Sequence, residues 1–261
     1  MRQAILTALV VVCCVGPAGA DWAQGDPHKM HFPQLPDPNG WDVAVWHEPT
    51  FGPILQLADD WRCRGTGPVS DIHVWFSVPE DDLGAIDNVG GFGVSIYDDD
   101  RSGDFSKPGN LLWERFFRPD DVSVVVSSGT GEQGWLHPVK PSYVEADHNL
   151  FHQLNIENIP DPFTQEQGNL YWLALSVTVE EASGARVGWK TSSDHFEDDA
   201  VWRSITLPET DWAELRDPIT DESLDLAFVI TGEIIPEPAT FALSALGLAG
   251  LAGYLRRRRH A

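Results

Sequence analysis

Asp71-Ile72-His73-Val74-Trp75-Phe76-Ser77-Val78 is the stretch whose reading decides the fold class. Ile72, Val74, Phe76 and Val78 alternate with Asp71, His73, Trp75 and Ser77. A period of two places apolar side chains on one face of a strand and polar or amphipathic ones on the other. The stretch therefore predicts a half-buried β-strand.

Outward from it the same period returns in Phe92, Val94 and Ile96, in Leu173, Leu175, Val177 and Val179, and in Leu224, Leu226, Phe228 and Ile230. Shorter runs at 111–117, 122–126, 150–156 and 186–191 are separated by clusters of Gly, Pro, Asn and Asp, which break strands into turns. No window of helix length before the tail keeps an apolar stripe of period 3.6. Many short strands without a helical layer predict an all-β fold, a single β-sandwich of jelly-roll type over residues 54–233. Residues 21–53, with Pro27, Pro33, Pro36 and Pro38, read as an extended approach to that domain. His28 and His31 lie there at three-residue spacing, but the prolines exclude the helix that would align them on a metal, so they are expected at the surface.

Both ends carry addresses. Arg2, an apolar core at 4–15 and the small residues Ala18, Gly19 and Ala20 make a signal peptide over residues 1–20, a substrate for signal peptidase. A lipid attachment site would have a small residue before Cys13, where this chain has Val12. At the other end Pro236, Glu237 and Pro238 break the preceding fold from 241–255, a stretch without a charge. Arg256, Arg257, Arg258 and Arg259 then stop transfer on the cytoplasmic side and leave the preceding chain outside. Proline motif, apolar helix and arginine cluster in this order resemble the PEP-CTERM sorting signal of bacteria that make extracellular polysaccharide. The resemblance implies that residues 234–261 form this signal and that the tail is removed by the membrane protease exosortase. The simpler alternative is a permanent transmembrane anchor. At 1.5 Å per residue, however, the stretch spans only ~22 Å of a ~30 Å hydrocarbon core.

Without residues 1–20 and 236–261 the chain holds 39 acidic residues against 12 Lys and Arg, a formal charge of −27. Such a body disfavours nucleic acid, whose phosphates need cationic side chains to displace counterions. Divalent cations suit it better, and the same acidity keeps an exported protein soluble. Cys63 alone survives removal of the leader, so no internal disulfide is expected despite an oxidising destination.

A second resemblance spans nearly the whole mature chain. It is carried by Leu57-Ala58-Asp59-Asp60-Trp61, by Gly67-Pro68-Val69-Ser70 running into 71–75, and by Pro108-Gly109-Asn110-Leu111-Leu112-Trp113-Glu114-Arg115. Trp189-Lys190-Thr191-Ser192-Ser193-Asp194-His195-Phe196 and Asp225-Leu226-Ala227-Phe228-Val229-Ile230-Thr231-Gly232 complete it. These stretches resemble an uncharacterised domain family in secreted proteins of planctomycete-like bacteria. The resemblance implies a domain and brings no catalytic residues with it.

Several local patterns carry chemistry. Asp98, Asp100, Ser102, Gly103 and Asp104 match the opening of a calcium loop, alternate oxygen ligands with a glycine at the sharp turn, but the twelfth position is Gly109 instead of Glu. The alternative is an acidic turn between strands. Lys190, Asp194, His195, Glu197, Asp198 and Asp199 lie between Trp189 and Trp202, where a metal or an acid–base pair could form, or where a polar loop closes on the sandwich. Asp59 and Asp60 precede Trp61 and read as solvated or as partners of a neighbouring loop. His148 and His152 lack a third ligand and read as incidental, and Cys63 reads as a half-buried thiol. The chain has no phosphate-binding glycine loop and no serine nucleophile elbow.

The expected function is that of an exported, exosortase-sorted protein of the cell surface or extracellular matrix, with no catalytic site. It is anchored transiently by the tail helix, and its role is structural or interactive. A calcium-assisted carbohydrate-binding module is the first alternative. It would need Trp75 and Trp113 exposed on one face to stack on sugar rings of an extracellular polysaccharide. A polysaccharide lyase or glycosidase on the same frame is the second, and would need facing carboxylates about 5 to 10 Å apart in one cleft.

Overall fold

A computed structural model describes residues 21–47, 54–139, 142–180, 183–205 and 211–235. The signal peptide, the tail helix at 241–255 and the motif residues Pro236, Glu237, Pro238 and Arg256 to Arg259 lie outside the described residues.

The fold is all-β. In chain order its strands are β1 (Trp41–Ala44), β2 (Trp46–His47), β3 (Leu55–Arg62), β4 (Gly67–Pro68), β5 (Asp71–Ser77), β6 (Val89–Asp100), β7 (Lys107–Phe117) and β8 (Ser123–His137). They continue as β9 (Ser142–Ile156), β10 (Thr164–Gln165), β11 (Leu170–Val179), β12 (Gly188–Ser192), β13 (Val201–Ser204), β14 (Ala213–Glu214), β15 (Asp225–Leu226) and β16 (Phe228–Thr231). The helical elements among the described residues are 3-10 turns at Pro79–Asp81, Leu83–Asn88 and Pro119–Asp121.

One sheet runs β15-β12-β1-β8-β9-β5-β16, and β12 also pairs with β5, so β12, β1, β8, β9 and β5 pair in a closed circuit. The other runs β14-β13-β3-β11-β6-β7, with β2 added beside β11. Two contacts are parallel, β1 with β8 and β2 with β11, which sets this sandwich apart from a purely antiparallel jelly roll. Leu57, Trp61, Val94, Ile96, Leu173 and Leu175 from one sheet meet Ile72, Val74, Leu154, Trp189, Phe228 and Ile230 from the other. Phe228 makes edge contacts with Trp61 at 6.3 Å and Trp189 at 6.1 Å between ring centres, tying the two sheets through one side chain. Each such burial is worth ~1.5–3 kcal/mol.

Two expectations change here. β5 is buried on both faces: Trp75 is 5% exposed and His73 4%, because Trp22 packs edge-on against Trp75 at 6.1 Å. The segment that supplies Trp22 is part of the fold, and the strands begin at Trp41, ahead of the expected boundary at 54. Its prolines forbid a helix but suit an extended chain. The amide N–H groups between them still pair, Lys29 donating to Ile230 O at 2.8 Å and Gln34 to Phe228 O at 3.3 Å. The Lys29 ammonium, fully buried, donates to Pro68 O and Glu233 O and so clamps both the entry and the exit of the domain.

Candidate functional site

Four stretches that are separate in sequence meet at β3: the strand itself, the end of β6, the loop after β12 and β15. Asp59 and Asp60 are adjacent on that strand, so their side chains leave opposite faces. Asp59 points into the sandwich and accepts from Gln34 Nε2 at 2.9 Å, its neighbour Asp60 N at 2.7 Å and Leu226 N at 2.5 Å. Asp60 is fully buried, and neither of its oxygens accepts a hydrogen bond. Its surroundings are acidic. Burial, and then the charges of Asp225, Glu197, Asp198 and Asp99, push its carboxyl up to about 9. Asp225 is pushed up to about 6, mainly by burial against the opposing Phe196 N–H, and burial with its two acidic neighbours raises Asp59 well above the usual carboxylate range.

The loop after β12 roofs this pit. His31 stacks on Phe196 with ring centres 3.4 Å apart, so the histidine expected at the surface is packed instead, and burial drives it down to about 3. Glu197 turns outward, with φ of 50°, to bind both Arg62 and, at 2.5 Å, Arg101. Asp194 accepts from Leu35 N, and His195 Nδ1 lies 3.4 Å from Asp225 Oδ1. Asp99, which the sequence pattern skipped, faces the same side. It accepts from Trp172 Nε1 at 3.0 Å, from Arg101 Nε at 2.6 Å and from the Ser106 hydroxyl. Those donors outweigh burial and hold Asp99 below its ordinary range.

Two carboxylates of the calcium-loop pattern make local hydrogen bonds. Asp98 accepts from both nitrogens of Asn110 across the β6–β7 hairpin, Asp100 accepts from Ser102 N, and Asp104 stands exposed in the turn. Among the described residues no three acidic, histidine or cysteine side chains converge to hold a metal ion. Trp75 is buried on β5, and Trp113 is half-buried on β7 in the other sheet with its indole donating to Asp161 O, so the two share no face.

A second cluster, inside the first sheet, gathers residues read as unrelated. Asp42 and Lys190 are directly opposed on β1 and β12, and Lys190 Nζ lies 3.1 Å from Asp42 Oδ2. His148 Nε2 lies 3.0 Å from that same oxygen, and Asp147 Oδ2 lies 3.0 Å from His148 Nδ1. The side chains of Asp42, Lys190 and His148 are wholly excluded from solvent. Burial opposes ionisation of Asp42, but the Lys190 charge and the His148 hydrogen bond hold its carboxyl below the usual range. Lys190, placed by sequence in a polar loop, is thus a core residue, and His148, read as incidental, is a buried partner of Asp42.

Residues 30–231 match a family described as a domain of unknown function (DUF7901), which is most of the chain. The chain belongs to the DUF7901 family. Both clusters lie within the DUF7901 domain. A PEP-CTERM protein-sorting motif matches residues 235–259, directly behind it, and with that motif go export, sorting and processing by exosortase. No curated protein and no solved structure matches the chain.

Proposed function

We propose that this protein is exported, cut at its C-terminal motif and left at the cell surface or in extracellular polymer, where its sandwich acts as a structural or interaction domain and not as an enzyme. The observation that carries the reading is the spacing of fold and motif. β16 ends at Thr231 and the matched sorting motif begins at residue 235, so cleavage within the motif removes nothing from the core. The Lys29 bond to Glu233 O secures the last turn of chain before the cut.

Three of the acidic side chains support a non-catalytic role through their partners, and Asp60, which has none, is fully buried away from any substrate. An acid–base pair must reach substrate with free lone pairs. Glu197 is held by two arginines, Asp99 by three donors and Asp59 by three more. The accessible concavities are shallow, such as the groove of about 600 Å³ between Asp98, Leu112, Phe163 and Asn169.

The test is fractionation of the producing cells with mass analysis of the C-terminus. A surface or matrix fraction that ends near residue 235, and that is lost when Pro236, Glu237 and Pro238 are replaced by Ala, supports the reading. A full-length chain retained in the membrane would overturn the sorting half. Turnover of polysaccharide by the purified protein would overturn the non-catalytic half.

A further inference from the structure

The geometry points to an intramolecular isopeptide bond between Lys190 Nζ and Asp42 Cγ, formed with His148 as the proton-transferring group and covalently locking β1 to β12. This inference is independent of the sorting motif.

Two neighbouring strands present the reacting groups directly opposite each other, Asp42 facing Lys190 in the antiparallel register. Lys190 Nζ lies 3.1 Å from Asp42 Oδ2, a hydrogen-bond contact that holds the amine beside the carboxyl carbon it would attack, and both side chains are fully buried. A plain ion pair fits the surroundings poorly. The Lys190 ammonium has three protons but two acceptors, Asp42 Oδ2 and, at 3.5 Å, Trp41 O. Asp42 Oδ1 accepts no well-formed hydrogen bond, with only the Ser77 hydroxyl beside the carboxyl as a further donor. Buried charges with unmet donors and acceptors gain little over apolar packing. An amide would keep one N–H, for which Trp41 O stands ready, and one carbonyl oxygen. It thereby removes the surplus donors and both buried charges, and leaves Oδ1 as a neutral carbonyl oxygen.

The step balances without oxidant or reductant. Transfer of one proton from Lys190 to Asp42 along their contact gives an amine and a carboxylic acid. The amine lone pair attacks Cγ, and the C–N bond forms as Nζ passes a proton to His148 Nε2, which lies 3.0 Å from Oδ2. Asp147, 3.0 Å from Nδ1, fixes the ring so that Nε2 is the exchanging nitrogen. His148 then delivers the proton to Oδ2, the Cγ–Oδ2 bond breaks and water leaves. The closed segment joins residues 148 positions apart in a domain whose one described cysteine, Cys63, is free and buried. The bond would serve as the covalent clamp that a disulfide provides in other exported folds.

Tryptic digestion of the natively folded full chain, followed by tandem mass spectrometry, decides the matter. The expected product is a branched peptide joining residues 30–62 to residues 187–203, lighter than their sum by one water and uncut after Lys190. Asp42→Asn should give the same branch with loss of ammonia. Lys190→Met should abolish it. His148→Ala should slow its formation at least ~100-fold, the scale of lost acid–base catalysis. Recovery of the separate linear peptides from folded wild-type protein, with cleavage after Lys190, overturns the bond whatever the variants do. A branch that forms equally fast in His148→Ala overturns the role given to histidine.

Discussion

Asp59 and Asp60 are neighbours on β3 with opposite fates: one carboxyl accepts three hydrogen bonds inside the sandwich, and the other, equally buried, accepts none. Asp60 therefore binds its proton more tightly folded than unfolded, with a folded value of about 9 against an ordinary 3.8. Its favourable contribution is complete below the unfolded value and is lost as pH rises through the folded one. Asp60→Asn removes the titration and keeps the shape. The stability of wild type relative to Asp60→Asn should fall by about 1.4 kcal/mol per pH unit between ~4 and ~9. Urea unfolding of both at pH 5, 7 and 8 checks this, and parallel pH profiles would show that Asp60 is solvated.

Glu197 couples that buried acid to the surface. Its arginine partners are about half exposed, Arg62 48% and Arg101 54%, so the pairs themselves are worth at most ~1 kcal/mol and less in high salt. Glu197 also stands among the charges that raise Asp60. Glu197→Gln should therefore cost little stability at neutral pH and move the upper end of the Asp60 transition to lower pH. Stability measured in Asp60→Asn and Glu197→Gln singly and together, across pH, resolves the coupling. Strict additivity would sever Glu197 from the pit.

The fold class was legible because period two survives in β5, β6, β11 and β16 on the face that meets the opposite sheet, even where the other face is covered as well. The site was not legible, for a topological reason. Asp60, Asp99, Glu197 and Asp225 come from four stretches that only the strand order of the second sheet and the crossing of β15 bring together. Alternation itself hid Asp99: the calcium-loop pattern selects Asp98 and Asp100, whereas the residue between them shares a face with Tyr97 and turns to Trp172. His148 and Lys190 were unreadable because a polar residue facing the interior of a closed circuit of strands has the same local pattern as one facing water.

The extended N-terminal segment is a cover for the first sheet. Trp22 is 6% exposed, packs on Trp75 and receives Gln153 Nε2 on its carbonyl at 2.9 Å. Trp22→Ala should cost ~3–5 kcal/mol, the range for a buried aromatic. Denaturant unfolding measures it, and a loss under ~1 kcal/mol would mean the segment is a tether and not part of the core.

Cys63 is buried, its thiol donates to Gly65 O at 3.2 Å, and burial pushes it up from its ordinary value. A thiol so placed is a poor nucleophile. Alkylation by iodoacetamide at pH 8 should be slow in the folded chain and become fast only across the unfolding transition. Rapid native labelling would place the thiol in solvent.

Glycines at 103 and 131 give the last contrast, between a turn that looks special in sequence and a contact that is special in space. Gly103 occupies the sharp-turn position of the calcium-loop pattern, yet a Cβ added there would meet nothing nearer than Phe105 O at 3.6 Å, an ordinary contact. Gly131 sits in β8 where the proline-rich segment crosses, and a Cβ there would fall 1.8 Å from Pro38 O and 2.5 Å from Pro38 C. Those are backbone atoms held by Asn39, whose side-chain oxygen accepts from Glu132 N at 3.2 Å, so no flexible side chain can yield. Gly131→Ala must therefore lift the segment from the sheet and should cost about 1–3 kcal/mol, as overpacking does. Gly103→Ala should stay within ~0.5 kcal/mol of wild type. Thermal unfolding of the two variants side by side tests the pair. A larger loss at Gly103 would restore a special role to the β6–β7 turn, and no loss at Gly131 would detach the segment from β8.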